Sequence, residues 1–243
     1  MQRVALLTGG ARGIARAIAL DLARAGWSIA LCYRTSKDDA DSAVREIEAA
    51  GSNALAVQCD VSDPDDATAL VQRVESELGR IDALVNGAGP YHRVSILDET
   101  VEGWRGMFDN NLHPVFWLAK AVAPGMKARG WGRIVSFSMA NADRMQANPQ
   151  VTAHYIAKIG VIVLTRTLAR VLAPHGITVN TIAPGFIDSG SAPSEELDQM
   201  LKNIPAKRLG TVDDAVAVAR FLLSEDASYV NGANIVCSGA WGL

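Results

Sequence analysis

Between an apolar run, Val4 to Leu7, and a helical pattern, Ile14 to Ala25, lies the glycine-rich turn Thr8-Gly9-Gly10-Ala11-Arg12-Gly13-Ile14-Ala15. No other stretch restricts the possible folds as tightly. A strand that turns at once into a helix through such glycines reads as a dinucleotide phosphate loop. Gly9 permits the tight turn, Gly13 lets the backbone approach a pyrophosphate, and the helix points its free N–H groups and positive dipole end at the phosphates. Gly9, Ala11, Arg12, Gly13 and Ile14 are the expected contacts. Taken alone, this pattern is a plain strand-to-helix turn about as often as a nucleotide site, so the surrounding chain has to supply the context.

It does so by alternation. Short, mostly apolar strands are expected at Val4 to Thr8, Ser28 to Tyr33, Ala54 to Cys59, Ala83 to Asn86, Arg133 to Phe137, Thr178 to Ala183 and Asn234 to Cys237. Strands of that kind, separated by helical patterns and short connections, imply a parallel sheet buried on both faces. Right-handed crossovers then require a doubly wound, Rossmann-like α/β sheet of seven parallel strands. Helix starts are legible too: Ser62-Asp63-Pro64-Asp65 offers a cap, a first-turn proline and an acid, and Thr211-Val212-Asp213-Asp214 resembles a capping box. Long helices are expected over Gly103 to Met126 and Ala153 to Leu172. No linker, repeat or low-complexity tract divides the 243 residues, so one domain spanning 1–243 is expected, with a small substrate lid around 186–210 centred on Ser194 to Asn203.

Composition narrows the partners. Twenty-three Lys and Arg stand against 26 Asp and Glu, mixed rather than in blocks, which argues against a nucleic-acid or membrane-surface partner. The three cysteines, Cys32, Cys59 and Cys237, fall in expected strands without metal-ligand spacing, so no metal is expected and the thiols read as reduced core residues. The first strand begins almost at the N-terminus, with no signal-peptide pattern and no apolar stretch of membrane-spanning length, and a cytoplasmic location is expected.

Cofactor choice is read at the end of the second strand, Leu31-Cys32-Tyr33-Arg34. NAD-preferring sites usually hold the ribose 2′-hydroxyl there with Asp or Glu, and this chain has neither. Arg34, beside Tyr33 and joined by Arg12 from the glycine loop, instead offers guanidinium forks that suit a 2′-phosphate. The alternative is a pair of ordinary surface arginines. Their joint position favours NADP(H) as the cofactor.

Four motifs together resemble the short-chain dehydrogenase/reductase family: Thr8-Gly9 through Gly13, Asp60-Val61, Asn86-Gly87-Ala88-Gly89 and Pro184-Gly185. The likeness runs from Val4 to Gly239. Within the family the chain is most similar to bacterial 3-oxoacyl-acyl-carrier-protein reductases, through Gly132-Arg133-Ile134-Val135, Gly176-Ile177-Thr178-Val179-Asn180 and Ser228-Tyr229-Val230-Asn231-Gly232. The resemblance implies that Asp60 and Val61 meet the adenine, that Asn86, Ala88 and Gly89 line the cofactor ribose, and that Pro184, Gly185 and Ile187 touch the nicotinamide end. It implies a homotetramer and a small carbonyl or alcohol substrate, acyl-carrier-linked if the likeness to those reductases extends to the substrate. Ala15 departs from the pattern, standing where relatives often have a third glycine and asking the helix to pack one methyl further from the sheet.

The catalytic residues depart further. Relatives use a tyrosine as acid, a lysine four positions later, a serine that hydrogen-bonds the carbonyl, and an asparagine that holds a relay water. Asn111 and Lys158 match the asparagine and the lysine. His154 occupies the tyrosine position and Met139 the serine position, with Tyr155 and Ser138 one residue away. On a helix, residues three and four before Lys158 lie about 60° and 40° to either side of it, so Tyr155 and His154 both stay in reach. Successive strand residues face opposite ways, so Ser138 points away from the side of Met139 unless the strand has ended. Met139 donates no hydrogen bond. His154 also reads as a helix histidine with no catalytic task. Two functions stay open: an NADP(H)-dependent oxidoreductase moving a hydride between nicotinamide and a carbonyl or alcohol, with Tyr155 or His154 as acid, and a cofactor-binding member with little or no chemistry and a regulatory role.

Overall fold

The computed structural model describes residues 2–189 and 199–242. Helices and strands alternate through most of it: β1 Val4–Thr8, α1 Gly13–Arg24, β2 Ser28–Tyr33, α2 Lys37–Ala49, β3 Ala54–Gln58, α3 Pro64–Leu78, β4 Ala83–Asn86, α4 Val101–Asn111, α5 His113–Arg129, β5 Gly132–Phe137, α6 Thr152–Leu172, β6 Ile177–Pro184, β7 Ile187–Asp188, β8 Gly210–Thr211, α7 Val212–Leu223 and β9 Asn234–Cys237. Seven of the strands form one sheet in the order β3-β2-β1-β4-β5-β6-β9. Every pair in it is parallel. This is the doubly wound sheet expected from the alternation.

Each central strand feeds two cores. Along β1, Val4 and Leu6 pack with α3 and α5 residues such as Leu70 and Leu118 on one face, while Ala5 and Leu7 pack with Ile18 of α1 and Leu222 of α7 on the other. A period-2 side-chain alternation with both faces covered explains why these strands read as unbroken apolar runs. Sequence order reverses between β1 and β4, and ligands in open α/β sheets bind outside the carboxyl ends of strands at such a switch. Thr8 braces that point, its Oγ1 accepting from Gly87 N at 3.0 Å and Ala88 N at 3.1 Å.

Local signals account for the helix ends. Asp63 caps α3 by accepting from the amides of Asp65 and Asp66, with Pro64 in the first turn. Thr211 and Asp214 form a reciprocal capping box at the start of α7. The long helix expected over Gly103 to Met126 is instead two helices, α4 and α5, separated at Leu112. Pro114 in the first turn of α5 explains the break, since proline has no amide to donate back along a continuous helix. Cys59 falls one residue past β3 rather than within it, and Cys237 is only half-buried. Residues 190–198 of the expected lid lie outside the described residues; around them, β7 and β8 pair as a small parallel ribbon that the sequence pattern did not announce. Among the described residues no helix is long and apolar enough to cross a membrane.

Candidate active site

At the carboxyl edge of the sheet a cleft of about 1660 Å³ runs from the glycine loop to α6. Its phosphate end is built by backbone. Gly9 has φ +64°, and a Cβ there would sit 3.1 Å from the backbone of Ala88, so the turn needs glycine both for its conformation and for the close approach of two loops. Helix α1 begins with Arg12 at the cap position making no side-chain cap and with no acid in the first turn. Its leading amides therefore open into the cleft, an arrangement that suits an anion. Ala15 also lines the wall here, and its methyl is accommodated: a Cβ on Gly87 would lie 2.7 Å from it, so the glycine leaves the space that the methyl fills. The expected displacement of the helix is thus absorbed by the loop after β4.

At the far end of β2, Arg34 donates to Asn110 Oδ1 at 3.2 Å and lies 3.7 Å from the Asp60 carboxylate. Arg12 pairs with Asp39. Both guanidiniums are more than half exposed, and both residues line the cleft. Burial raises the Asp60 pKa, but hydrogen bonds from Ser62 and the nearby Arg34 outweigh it and hold the carboxyl below its ordinary value. Every residue expected to contact the cofactor lines this cleft except Asn86. Asn86 is buried and donates to Ser136 Oγ at 3.0 Å, because alternation at the end of β4 turns its side chain along the sheet. Arg16, Thr35 and Ser36 line the cleft as well. Arg16 reaches Ser42 Oγ at 2.9 Å and ties α1 to α2, a role no local motif marks.

The opposite end is organised by α6. Lys158 is buried and donates to Phe137 O at 3.0 Å. Burial lowers its pKa to about 8, so the ammonium persists at neutral pH. His154, one turn earlier, faces the same cleft with its Nδ1 buried and unpartnered. Burial first, then the charges of Lys158 and His92, lower the imidazole to about 4, and it is neutral at physiological pH. Asn111 does not line the cleft; its Nδ2 donates to Pro90 O at 3.1 Å, and its Oδ1 sits unpartnered behind Gly89.

Two of the candidate donors face elsewhere. Tyr155 is turned from the cleft into a small core with Ala142 and Ile162. Its hydroxyl donates to Asn141 O at 2.8 Å and accepts from Gln146 N at 3.1 Å, bracing the segment between β5 and α6. Helical geometry allowed either neighbour to reach the site, and that segment takes the tyrosine. Ser138 borders the cleft, but β5 continues to pair with β6 through Ala140 N and Pro184 O, so the alternation persists. The Ser138 hydroxyl is accordingly drawn to Asn234 Oδ1 at 2.6 Å. Met139 lines the cleft beside His154. Phe186 and Trp241, rings 4.4 Å apart, close the apolar side of this end, and Tyr91 meets His154 edge to face. None of these three aromatics carried a sequence signal.

The arrangement fits a dinucleotide on structural grounds. Uncapped amides for phosphate, the exposed guanidiniums of Arg12 and Arg34 and a buried ammonium at the other end lie along one continuous cleft. The family model described as Enoyl-(Acyl carrier protein) reductase matches residues 9–240. The chain is 40% identical over 243 residues to the 3-oxoacyl-[acyl-carrier-protein] reductase FabG of Staphylococcus epidermidis, covering 98% of each. It is 33% identical over 241 residues to the acetoacetyl-CoA reductase of Cupriavidus necator, covering 98% of this chain and 97% of that one. Among solved structures, a short-chain type dehydrogenase/reductase from Mycobacterium marinum superposes with a TM-score of 0.91 at 32% identity, over 98% of this chain and 94% of that one.

Proposed function

We infer the function from the premise that the chain belongs to the short-chain dehydrogenase/reductase family. Members move a hydride between a nicotinamide and a carbonyl or alcohol, and we propose that this one is an NADP(H)-dependent reductase of 3-oxoacyl thioesters or similar small ketones. The observation that supports it most is the joint placement of His154 and Lys158 on one cleft with the uncapped start of α1.

A nicotinamide seated at the α6 end would supply the hydride. The chain's own residues do the rest. The α1 amides, with Arg12 and Arg34 at the adenosine end, bind phosphate oxygens. Lys158, charged and fixed by Phe137 O, holds ribose hydroxyls. The neutral His154 imidazole donates N–H to the substrate carbonyl oxygen and polarises it without giving up its proton, as a neutral imidazole can. Met139 supplies apolar wall where relatives place a donor, and losing one such donor typically costs a hundred- to a thousandfold in rate. The enzyme is therefore expected to be slow.

Consumption of NADPH with 3-oxobutyryl thioesters, β-ketoesters and small ketones tests the reading. Tight NADPH binding with no turnover on any of them would refute it. Cofactor choice has its own test: NADPH is expected to bind more tightly than NADH, and Arg34→Asp to reverse the order by exchanging a phosphate partner for a hydroxyl acceptor. Equal dissociation constants in the unmodified protein would overturn the NADP(H) assignment.

A further inference from the structure

With the Lys158 ammonium tied to Phe137 O and assigned to the ribose, and with the neutral His154 keeping its proton, the site as described offers no group placed to hand a proton to the substrate oxygen. Met139 has no transferable hydrogen, the Tyr155 hydroxyl is engaged with Asn141 O, and the Ser138 hydroxyl with Asn234. Resting on the reductase reading above, we propose that Tyr91, from the wall facing α6, is the catalytic acid that protonates the substrate oxygen.

Geometry carries the assignment. The Tyr91 ring stands edge to face with His154, centroids 5.1 Å apart and planes at 84°, and both side chains line the same cleft. Because His154 Nδ1 is buried, Nε2 is the ring nitrogen left to meet a ligand, and the Tyr91 side chain borders the cleft next to that ring. The phenol is not tied down: it is 60% exposed, and no hydrogen bond engages its hydroxyl among the described residues. The residues that flank it in the loop, by contrast, are held. Pro90 O accepts from Asn111 Nδ2 at 3.1 Å, the His92 ring lies 2.7 Å from the Glu99 carboxylate, and Val94 N donates to Gln150 O at 2.8 Å. Asn111 thus acts as a positioning residue for the loop that presents Tyr91.

The step balances simply. As the carbonyl carbon takes up a hydride with its electron pair, the C=O π electrons pass to oxygen. That oxygen forms a bond to the phenolic proton as the Tyr91 O–H bond breaks, and the exposed phenolate regains a proton from water. His154 remains neutral throughout, as a hydrogen-bond donor to the same oxygen.

Tyr91→Phe keeps the ring contact with His154 and removes only the hydroxyl. It is expected to lower kcat for a β-ketoester about a hundredfold, the lower end of the general-acid range, with KM and NADPH affinity little changed; Tyr155→Phe is expected to lower thermal stability instead. A readout independent of turnover uses 3-fluorotyrosine-labelled protein, whose 4 tyrosines give separable fluorine resonances, the Tyr91 signal being identified by its loss in the variant. Adding a 3-hydroxybutyrate ester to the NADP⁺-loaded protein should shift the Tyr91 signal and leave that of Tyr155 in place. Wild-type kcat in Tyr91→Phe, or a Tyr91 signal unmoved at saturating ester, would overturn the assignment while leaving the reductase reading intact. Failure of the unmodified protein to reduce any ketone would overturn both.

Discussion

Burial and the neighbouring charges of Lys158 and His92 hold His154 at about 4, below the 6.5 of an unperturbed imidazole. The unfolded chain then binds more protons than the folded one between those two values, so stability falls as the pH drops through that window. The contribution is intact above the unfolded pKa and lost below the folded one, with an upper limit of about 3 kcal/mol. His154→Leu should flatten the urea midpoint across this range relative to the parent, and an unchanged pH dependence in the variant would show that the imidazole is not buried as described. The same residue sets the chemistry. Met139→Ser with His154→Tyr places a hydroxyl donor and a phenol beside Lys158, and turnover of a β-ketoester is expected to rise about tenfold or more, the two gains not multiplying because both act on one oxygen. Steady-state kinetics of the parent, each single change and the double would check it; no gain in the double would mean that this end of the cleft does not hold the carbonyl. That His154 rather than Tyr155 faces the cleft was not legible in the sequence. Helical spacing leaves both in reach, and the choice is made by tertiary partners, Asn141 O and Gln146 N, in an irregular segment with no pattern to read.

Elements were far more legible than side-chain directions, for a physical reason. A strand buried on both faces is mostly apolar, and a helix start must satisfy its own amides, so the central strands, the Asp63 cap and the Thr211 capping box are written locally. The break at Leu112 was equally written, in Pro114, but the apolar run on either side masked it. The β7 and β8 ribbon was not, because two-residue strands separated by a long connection leave no periodicity. Contacts between elements are the other illegible class. Ala15 reads as a local misfit in the glycine loop, yet its methyl is matched by Gly87 on a different loop. A Cβ on Gly87 would lie 2.7 Å from both the Ala15 Cβ and Thr8 O. Gly87→Ala should therefore destabilise the protein by about 1–3 kcal/mol, the usual range for overpacking. Ala15→Gly in the same chain should recover only part of the loss, since the clash with Thr8 O remains. Denaturant titrations of the two single variants and the double test this; full recovery, or no loss in Gly87→Ala, would contradict the packing described.

At the scale of the whole molecule, α6 serves two surfaces. Its inner side presents His154 and Lys158 to the cleft, while Ile156 and Val163, seven residues apart and so on one stripe, are 40% and 57% exposed. Phe116 of α5 is 41% exposed. Apolar side chains this large, gathered on neighbouring helices, favour association, and the resemblance implies a homotetramer. Light scattering at micromolar concentration should then return about four times the 25.8 kDa chain mass. Val163→Asp provides the sharper test. Its position is open to solvent in the single chain, where a substitution typically changes folding stability by less than about 0.5 kcal/mol, but a carboxylate buried without a partner in an interface is costly. The variant should stay folded by circular dichroism while its mass falls toward that of one chain. Because the same helix positions His154 and Lys158, the thermal midpoint of the unmodified protein should rise with protein concentration, and that of Val163→Asp should not. A monomer mass for the unmodified chain would refute the assembly, and a tetramer that survived Val163→Asp would place its contacts away from this face of α6.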